Sequence, residues 1–319
     1  MTAKVFLKNL KKYKSFLIST HVHPDPDALS SLLTLGIYLR KIGKKVYLRT
    51  EEPVPERFEF LPKSRLIKKV NLESRIRFEA VIVVDCGDLD RVGRVRELIK
   101  EEHHVINIDH HITNDRFGKL NFVKPEASST AEIIFDLLKQ DRFPLTRDTA
   151  MLLYLGIMTD TGSFRYDNTS AHTHAAVSEL MKFGIPVGKL YRRMYESVPF
   201  NDIKVFAKVV SRFETIKSGK VIILELPKSV VRQFSEEFDL RDKIFKYLRT
   251  IKGVELLVIL TEFEKNKTRI NFRSQSKVDV AKLAARFNGG GHHRASGAMI
   301  NLNIKDSKRR VLKEVRKVI

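Results

Sequence analysis

His104-Val105-Ile106-Asn107-Ile108-Asp109-His110-His111 is a short apolar run that ends abruptly in one carboxylate and two imidazoles. A strand buried on both faces of a parallel sheet reads as such a run, and in open α/β sheets the loops just past the carboxyl ends of the strands hold the ligand. Asp109, His110 and His111 therefore fall where chemistry is done. Alone, three polar residues would be read as a capped helix start or a polar turn. Two further runs, however, end the same way. Phe16-Leu17-Ile18-Ser19-Thr20 leads into His21-Val22-His23-Pro24-Asp25-Pro26-Asp27, and Ala80-Val81-Ile82-Val83-Val84 leads into Asp85. Three parallel strands that release Asp and His at one edge gather those groups into a cluster, and carboxylates that close repel one another unless cations neutralise them. The economical reading is a metal site.

Outward from these runs, a helical pattern over 28–39 ends near Gly43, so Asp25 and Asp27 precede or open that helix. Asp caps helices well. Two Asp spaced by one residue, with His21 four before the first, exceed what capping needs, and metal ligation is the preferred reading. Strands at 45–50 and 80–84, a helix about 92–100 and the strand at 104–108 alternate in the way that specifies a doubly wound parallel sheet. Glu101 to His104 lie at the far end of that last strand from Asp109 and read as a solvated helix terminus. Helical patterns follow at 129–140, 146–158, 170–183, 187–197 and 202–216. Asp160 ends an apolar helix at the turn Thr159-Asp160-Thr161-Gly162, where the negative end of the helix dipole is a poor place for an anion; that misplacement points to a cation nearby. His172 and His174, on a separate helix, read as surface residues.

Strands resume at 221–226, 254–264 and 268–273, with helices from 227 and 240 between them. The division expected is a catalytic metal-binding domain over 1–198, a helical connector over 199–216, and a smaller α/β C-terminal substrate-binding domain over 217–319. Near its end stands Gly289-Gly290-Gly291-His292-His293-Arg294-Ala295-Ser296-Gly297. Glycines let a backbone approach a phosphate or base closely, and His and Arg beside them can donate hydrogen bonds to it. A helix-to-strand turn accounts for one or two of these glycines, not for three followed by His-His-Arg. A final helix from Lys305 carries Val311, Leu312, Val315 and Val318 on one face.

A length of 319 residues exceeds the size at which single cores stop growing, consistent with two domains. Fifty-nine Lys and Arg against 38 Asp and Glu give a net charge of +21. A heat-adapted surface of ion networks would not need that excess, whereas phosphate-bearing partners would draw on it; nucleic acid or nucleotides are the expected substrates. One cysteine, Cys86, forbids an internal disulfide and reads as a small buried core residue. No run approaches the ~18 apolar residues of a membrane span, and the N-terminus lacks a signal-peptide pattern, so no membrane association and a cytoplasmic location are expected.

Four strings, His21-Val22-His23-Pro24-Asp25-Pro26-Asp27-Ala28, Val84-Asp85, Asp109-His110-His111 and Thr159-Asp160-Thr161-Gly162, together resemble the DHH phosphoesterase superfamily. The Gly289 to Gly297 stretch, with Arg273 upstream, resembles the DHH-associated C-terminal domain. Size and order are most similar to the nanoRNase/pAp-phosphatase branch, and the resemblance covers essentially the whole chain. It implies two divalent ions of manganese type, with magnesium or cobalt as alternatives. Carried over by position, His21, Asp25 and Asp85 hold one ion; Asp27, Asp85, His110 and Asp160 hold the other, with Asp85 bridging. Asp109 and His111 are the implied catalytic pair, His111 touching the scissile phosphate, and His23 is given no ligand role. Arg273, Gly290, Gly291, His292, His293 and Arg294 would grip the substrate away from the cut, across a cleft from the ions. The mixed carboxylate and imidazole set by itself suits manganese better than calcium or a thiolate-loving metal.

The implied function is a two-metal phosphoesterase that hydrolyses very short RNA or DNA oligonucleotides (nanoRNA) to mononucleotides, and also pAp (3'-phosphoadenosine 5'-phosphate) to AMP, by attack of metal-bound hydroxide with no covalent intermediate. A homodimer is compatible with it. The alternative enzyme is a phosphodiesterase for linear or cyclic dinucleotides. The non-enzymatic alternative, a nucleic-acid-binding protein with a relict site, is disfavoured because every metal-motif residue is intact.

Overall fold

A computed structural model of the chain describes residues 1–235, 240–275 and 277–319. It divides into two units, Met1–Met194 and Tyr195–Ile319. In the first, the apolar runs form parallel strands: Ser15–Ser19 (β1), Lys45–Thr50 (β2), Ile67–Lys69 (β3), Ala80–Val84 (β4), His104–Asp109 (β5) and Leu120–Val123 (β6), in the spatial order β3-β2-β1-β4-β5-β6. The chain thus builds outward from β1 in one direction, then returns to β4 and builds in the other. Every residue of β4 is buried, as its unbroken Ala-Val-Ile-Val-Val requires.

Helices Ala3–Leu10 (α1), Pro26–Lys41 (α2), Thr130–Gln140 (α3) and Arg147–Asp160 (α4) belong to this unit, followed by Ala171–Met181 (α5) and Val187–Tyr195 (α6) at its end. α2, α3 and α4 pack on one another. α2 begins at Pro26, whose fixed φ suits the first helical turn, and Asp25 caps it by accepting the Ala28 N–H at 3.0 Å. Leu17, Val81, Val83, Cys86, Val92 and Val95 form a separate core cluster. Cys86 is fully buried there; its thiol donates to the Asp88 carbonyl at 3.0 Å, and burial pushes it up to about 12.

The helix expected over 92–100 is absent. Leu89–Leu98 instead forms 3-10 turns interrupted at Gly93, which has φ +61° and ψ −145°. A Cβ there would lie 2.8 Å from Glu51 Oε2 and 2.9 Å from Val22 Cγ1, so the chain crosses its neighbours too closely for a helix to continue.

The second unit comprises Phe200–Val210 (α7), Glu214–Ile216 (β7), Val221–Leu226 (β8), Lys228–Val231 (α8), Leu240–Leu248 (α9), Leu256–Glu264 (β9), Lys267–Ser274 (β10), Val280–Ala285 (α10), Gly290–His292 (β11), Ala295–Ile300 (β12) and Ile304–Val315 (α11). Its sheet runs β11-β12-β10-β9-β8-β7, with only β8 and β9 parallel. Val280, Leu283, Val311 and Val315 from α10 and α11 pack in one core; Val209, Val210, Ile244 and Leu248 from α7 and α9 pack in another. The expected helix at 202–216 ends at Val210, and its last three residues form β7 against β8. Among the described residues no helix is long and apolar enough to cross a membrane.

Candidate metal centre

Strand register brings the three motifs level. Ser19 stands opposite Val83, and Val84 opposite Ile108, so the residues that follow each strand emerge at one sheet edge. The reversal between β1 and β4 is the topological switch point at which α/β sheets bind ligands. Asp85 itself has φ +54°, a left-handed conformation that turns the chain out of the sheet at β4's end. Asp adopts it more readily than most residues, but such backbone is concentrated at functional sites.

Three groups of donors result: His21 with Asp25 and Asp85; Asp85 with His110 and His111; Asp27 with His110 and Asp160. Within each, one ligand atom per residue lies within 4.8 Å of the others. Asp85 Oδ2 is 3.7 Å from His21 Nε2, and Asp85 Oδ1 is 3.6 Å from His110 Nε2. His110 Nε2 is also 3.3 Å from Asp160 Oδ2. Apart from the His110–Asp160 pair, these gaps exceed ordinary hydrogen-bond lengths, and the donors crowd together at close range. Asp27 is buried, and its carboxylate accepts the N–H groups of Thr130 at 2.8 Å and Ala131 at 3.0 Å, at the positive end of α3.

The electrostatics are those of a site short of positive charge. Burial, then Asp85 and Asp160, hold Asp27 well above the usual carboxylate range. Burial, then Asp85 and Asp25, push Asp160 up to about 8. Burial also opposes ionisation of Asp85, but His21, His110 and His111 around it bring it down to about 2. Borderline donors, imidazole nitrogen and carboxylate oxygen without thiolate, gathered at this density fit a divalent cation of the manganese or magnesium kind.

Asp109 lies behind these groups, fully buried. It accepts from the His110 N–H at 2.8 Å, from His111 Nδ1 at 2.7 Å and from Asn114 Nδ2 at 2.6 Å. That contact pushes His111 up to about 9. Asp25 is open to solvent; it caps α2 and also falls in a group of donors that could hold a metal ion. His23 points away, paired with Glu52 at 2.9 Å, and His172 sits 3.0 Å from Asp136 on the surface.

In the second unit, register places Arg273 and Asn271 of β10, Ala295 and Gly297 of β12, and His292 and Gly290 of β11 in facing pairs. The Arg273 guanidinium lies 4.7 Å from the Phe245 ring centre and donates to the Phe272 carbonyl at 3.0 Å. His292, His293 and Arg294 are exposed. The glycines differ in their reasons. A Cβ on Gly289 would meet the Gly297 carbonyl at 2.2 Å, and one on Gly291 the Ala295 carbonyl at 2.7 Å, whereas one on Gly290 would meet nothing within 4 Å. Two of the three are therefore required by the closeness of β12; Gly290 pairs with Gly297 but is held to glycine by no contact among the described residues.

The DHH family N-terminal domain matches residues 15–157, and the DHHA1 domain matches 218–319. A Streptococcus mutans protein described as "Probable bifunctional oligoribonuclease and PAP phosphatase NrnA" is 32% identical over 93% of this chain and 94% of its own length. The chain belongs to the DHH family. A Thermus thermophilus member of it, "Bifunctional oligoribonuclease and PAP phosphatase NrnA", is 31% identical over 94% of this chain and 88% of its own. Among solved structures, an exopolyphosphatase-related protein from Bacteroides fragilis superposes with a TM-score of 0.90 at 25% identity, covering 99% of this chain and 95% of that one. DHH phosphoesterases use divalent metals, and the three donor groups are where this chain could hold them.

Several residues of this DHH site are not legible as such in the sequence. Thr130 donates its hydroxyl to Asp85 Oδ1 at 2.9 Å. Asn107 and Asn114 brace the loop after β4 through the Cys86 carbonyl, at 3.1 and 3.3 Å. Asn168 donates to the Ser128 and Asp160 carbonyls at 2.9 and 3.3 Å. Ser129 and Glu132 in sequence do signal a helix start at 130, which is seen; nothing in that signal says which distant carboxylates the helix end will meet.

Proposed function

We propose that this chain is a two-metal phosphoesterase that hydrolyses very short oligonucleotides to mononucleotides and removes the 3'-phosphate of pAp, working in the cytoplasm. The observation that carries the reading is the convergence of seven Asp and His donors at one sheet edge, in a chain whose relatives bear oligoribonuclease and PAP phosphatase names. His21, Asp25 and Asp85 hold one ion; Asp27, Asp85, His110 and Asp160 hold the other, with manganese preferred by the mixed donor set. Those residues would hold divalent ions whose chemistry there would be polarisation of a phosphoryl oxygen and activation of a water. His111 Nδ1 is engaged by Asp109, which leaves Nε2 to donate a hydrogen bond to the phosphate, and Asp109 fixes that orientation from behind. Arg273, Gly290, Gly291, His292, His293 and Arg294 bind the far nucleotide, Gly290 by allowing backbone approach. The net charge of +21 supports a polyanionic substrate.

Turnover of a dinucleotide, pAp, a cyclic dinucleotide and an oligonucleotide of roughly two dozen nucleotides, each with manganese, magnesium and cobalt, tests this reading. The dinucleotide and pAp should be turned over in manganese, with kcat/KM falling as the strand lengthens, because the chain has no Trp to serve as a stacking platform for successive bases. Equal or better efficiency on the long strand, a marked preference for the cyclic dinucleotide, or binding without turnover would each overturn it.

A further inference from the structure

Asp85 is the one carboxylate common to two of the three donor groups, and its oxygens face different neighbours. Oδ2 is 3.7 Å from His21 Nε2; Oδ1 is 3.6 Å from His110 Nε2 and 4.0 Å from His111 Nδ1. An ionised carboxylate oxygen has two lone pairs, so each can face a cation and still accept one hydrogen bond. On Oδ1 that bond comes from the Thr130 hydroxyl at 2.9 Å, and Oδ2 has no hydroxyl or amide donor among the described residues. Thr130 is wholly buried, so bulk water cannot take its place. The same residue donates its backbone N–H to Asp27 Oδ2 at 2.8 Å.

We infer that Thr130 is a positioning residue that makes the two ion sites unequal. Its hydroxyl fixes the plane of Asp85, holding Oδ1 toward His110, and so tightens the ion on that side more than the ion on the His21 side. The backbone bond to Asp27 fixes a second ligand of the same ion but survives any side-chain change, which separates the hydroxyl's effect from the helix's. This inference rests on the reading of Asp85 as a ligand shared by two ions.

The test is a manganese titration of chelator-stripped wild type, Thr130→Ser, Thr130→Val and Thr130→Ala, with free manganese followed by electron paramagnetic resonance and unfolding temperature recorded in chelator. Serine keeps the hydroxyl; valine keeps the shape without it; alanine guards against strain from the valine methyl. Wild type and the serine variant should take up two ions alike. The valine and alanine variants should hold the more weakly bound ion of wild type unchanged and the more tightly bound one about 10–100-fold more weakly, as is usual when a ligand loses its supporting hydrogen bond, so that the two sites become more alike. Their kcat should recover at high manganese with KM for a dinucleotide unchanged, and their unfolding temperatures in chelator should stay within a few degrees of wild type. Two ions bound as tightly by the valine and alanine variants would overturn the role of Thr130 alone. Equal weakening of both ions together with loss of folded structure would reduce Thr130 to a packing residue and overturn it too. A wild type that binds no ion would overturn the reading of the whole site.

Discussion

A Cβ on Gly156 would lie 2.5 Å from Asp27 Oδ1 and 2.6 Å from the Cβ of Ala131. Glycine inside a helix ordinarily weakens it by roughly 0.5–1 kcal/mol relative to alanine, so Gly156→Ala should favour α4 locally. Asp27 cannot give way easily, because two N–H groups of α3 hold its oxygens. We expect the variant to keep its far-ultraviolet circular dichroism but to lose about 100-fold in kcat/KM, the usual cost of misplacing a reacting group by about 1 Å. Near wild-type activity would mean that Asp27 is not held where the site needs it.

Asp85→Asn should nearly abolish turnover with the fold intact, since a neutral amide weakens both ions that share the carboxylate. Retention of more than about a tenth of kcat, a loss under roughly 1.4 kcal/mol, would rule out a bridging role.

The metal-free protein should lose stability as pH rises. His111 is raised from 6.5 to about 9, so its contribution is complete below 6.5 and is lost as pH climbs through 9. Asp160 is raised from 3.8 to about 8, so the folded state holds a proton that the unfolded chain has released, and folding weakens between those values. Asp85, lowered to about 2, matters only in acid. Unfolding temperatures in chelator should therefore fall between about pH 6.5 and 9, and added divalent ion should stabilise more at the higher pH, where fewer protons compete with it. A flat or rising profile in chelator would contradict the crowding of these carboxyl groups.

Arg273→Ala and His292→Ala should raise KM for a dinucleotide far more than they alter hydrolysis of a generic nitrophenyl phosphodiester, because a grip on the remote nucleotide is not used by the smaller substrate. Equal losses on both substrates would assign these residues to the reaction itself.

The metal edge could be read from sequence because buried parallel strands leave long unbroken signatures: Ala80 to Val84 has no polar residue, and Asp85 breaks it at once. Asp160 was legible through its conflict with the helix dipole. β3 was not, since Ile67-Lys68-Lys69 is an edge strand with one buried residue. The 3-10 segment escaped because Val92 and Val95 are spaced as in a helix, while the close crossing at Gly93 is a tertiary fact. Thr130 and Gly156 escaped for the same reason: each meets the Asp27 carboxylate, more than a hundred residues away in the chain. Of the three adjacent glycines, Gly289 and Gly291 answer to the backbone of β12, a close approach that no local sequence pattern signals.

Cys86, sealed among Leu17, Val81, Val83 and Val92 at the end of β4, is the chain's only thiol. A reagent that alkylates it must wait for the strands beneath the metal centre to part, so its labelling rate under native conditions is a clock for local opening of the first unit. The second unit has no cysteine and stays silent. Breathing of the first unit can thus be timed in the intact chain, with no engineered probe, and the slowing of that clock by an added divalent ion would measure how far the ion is coupled to the sheet.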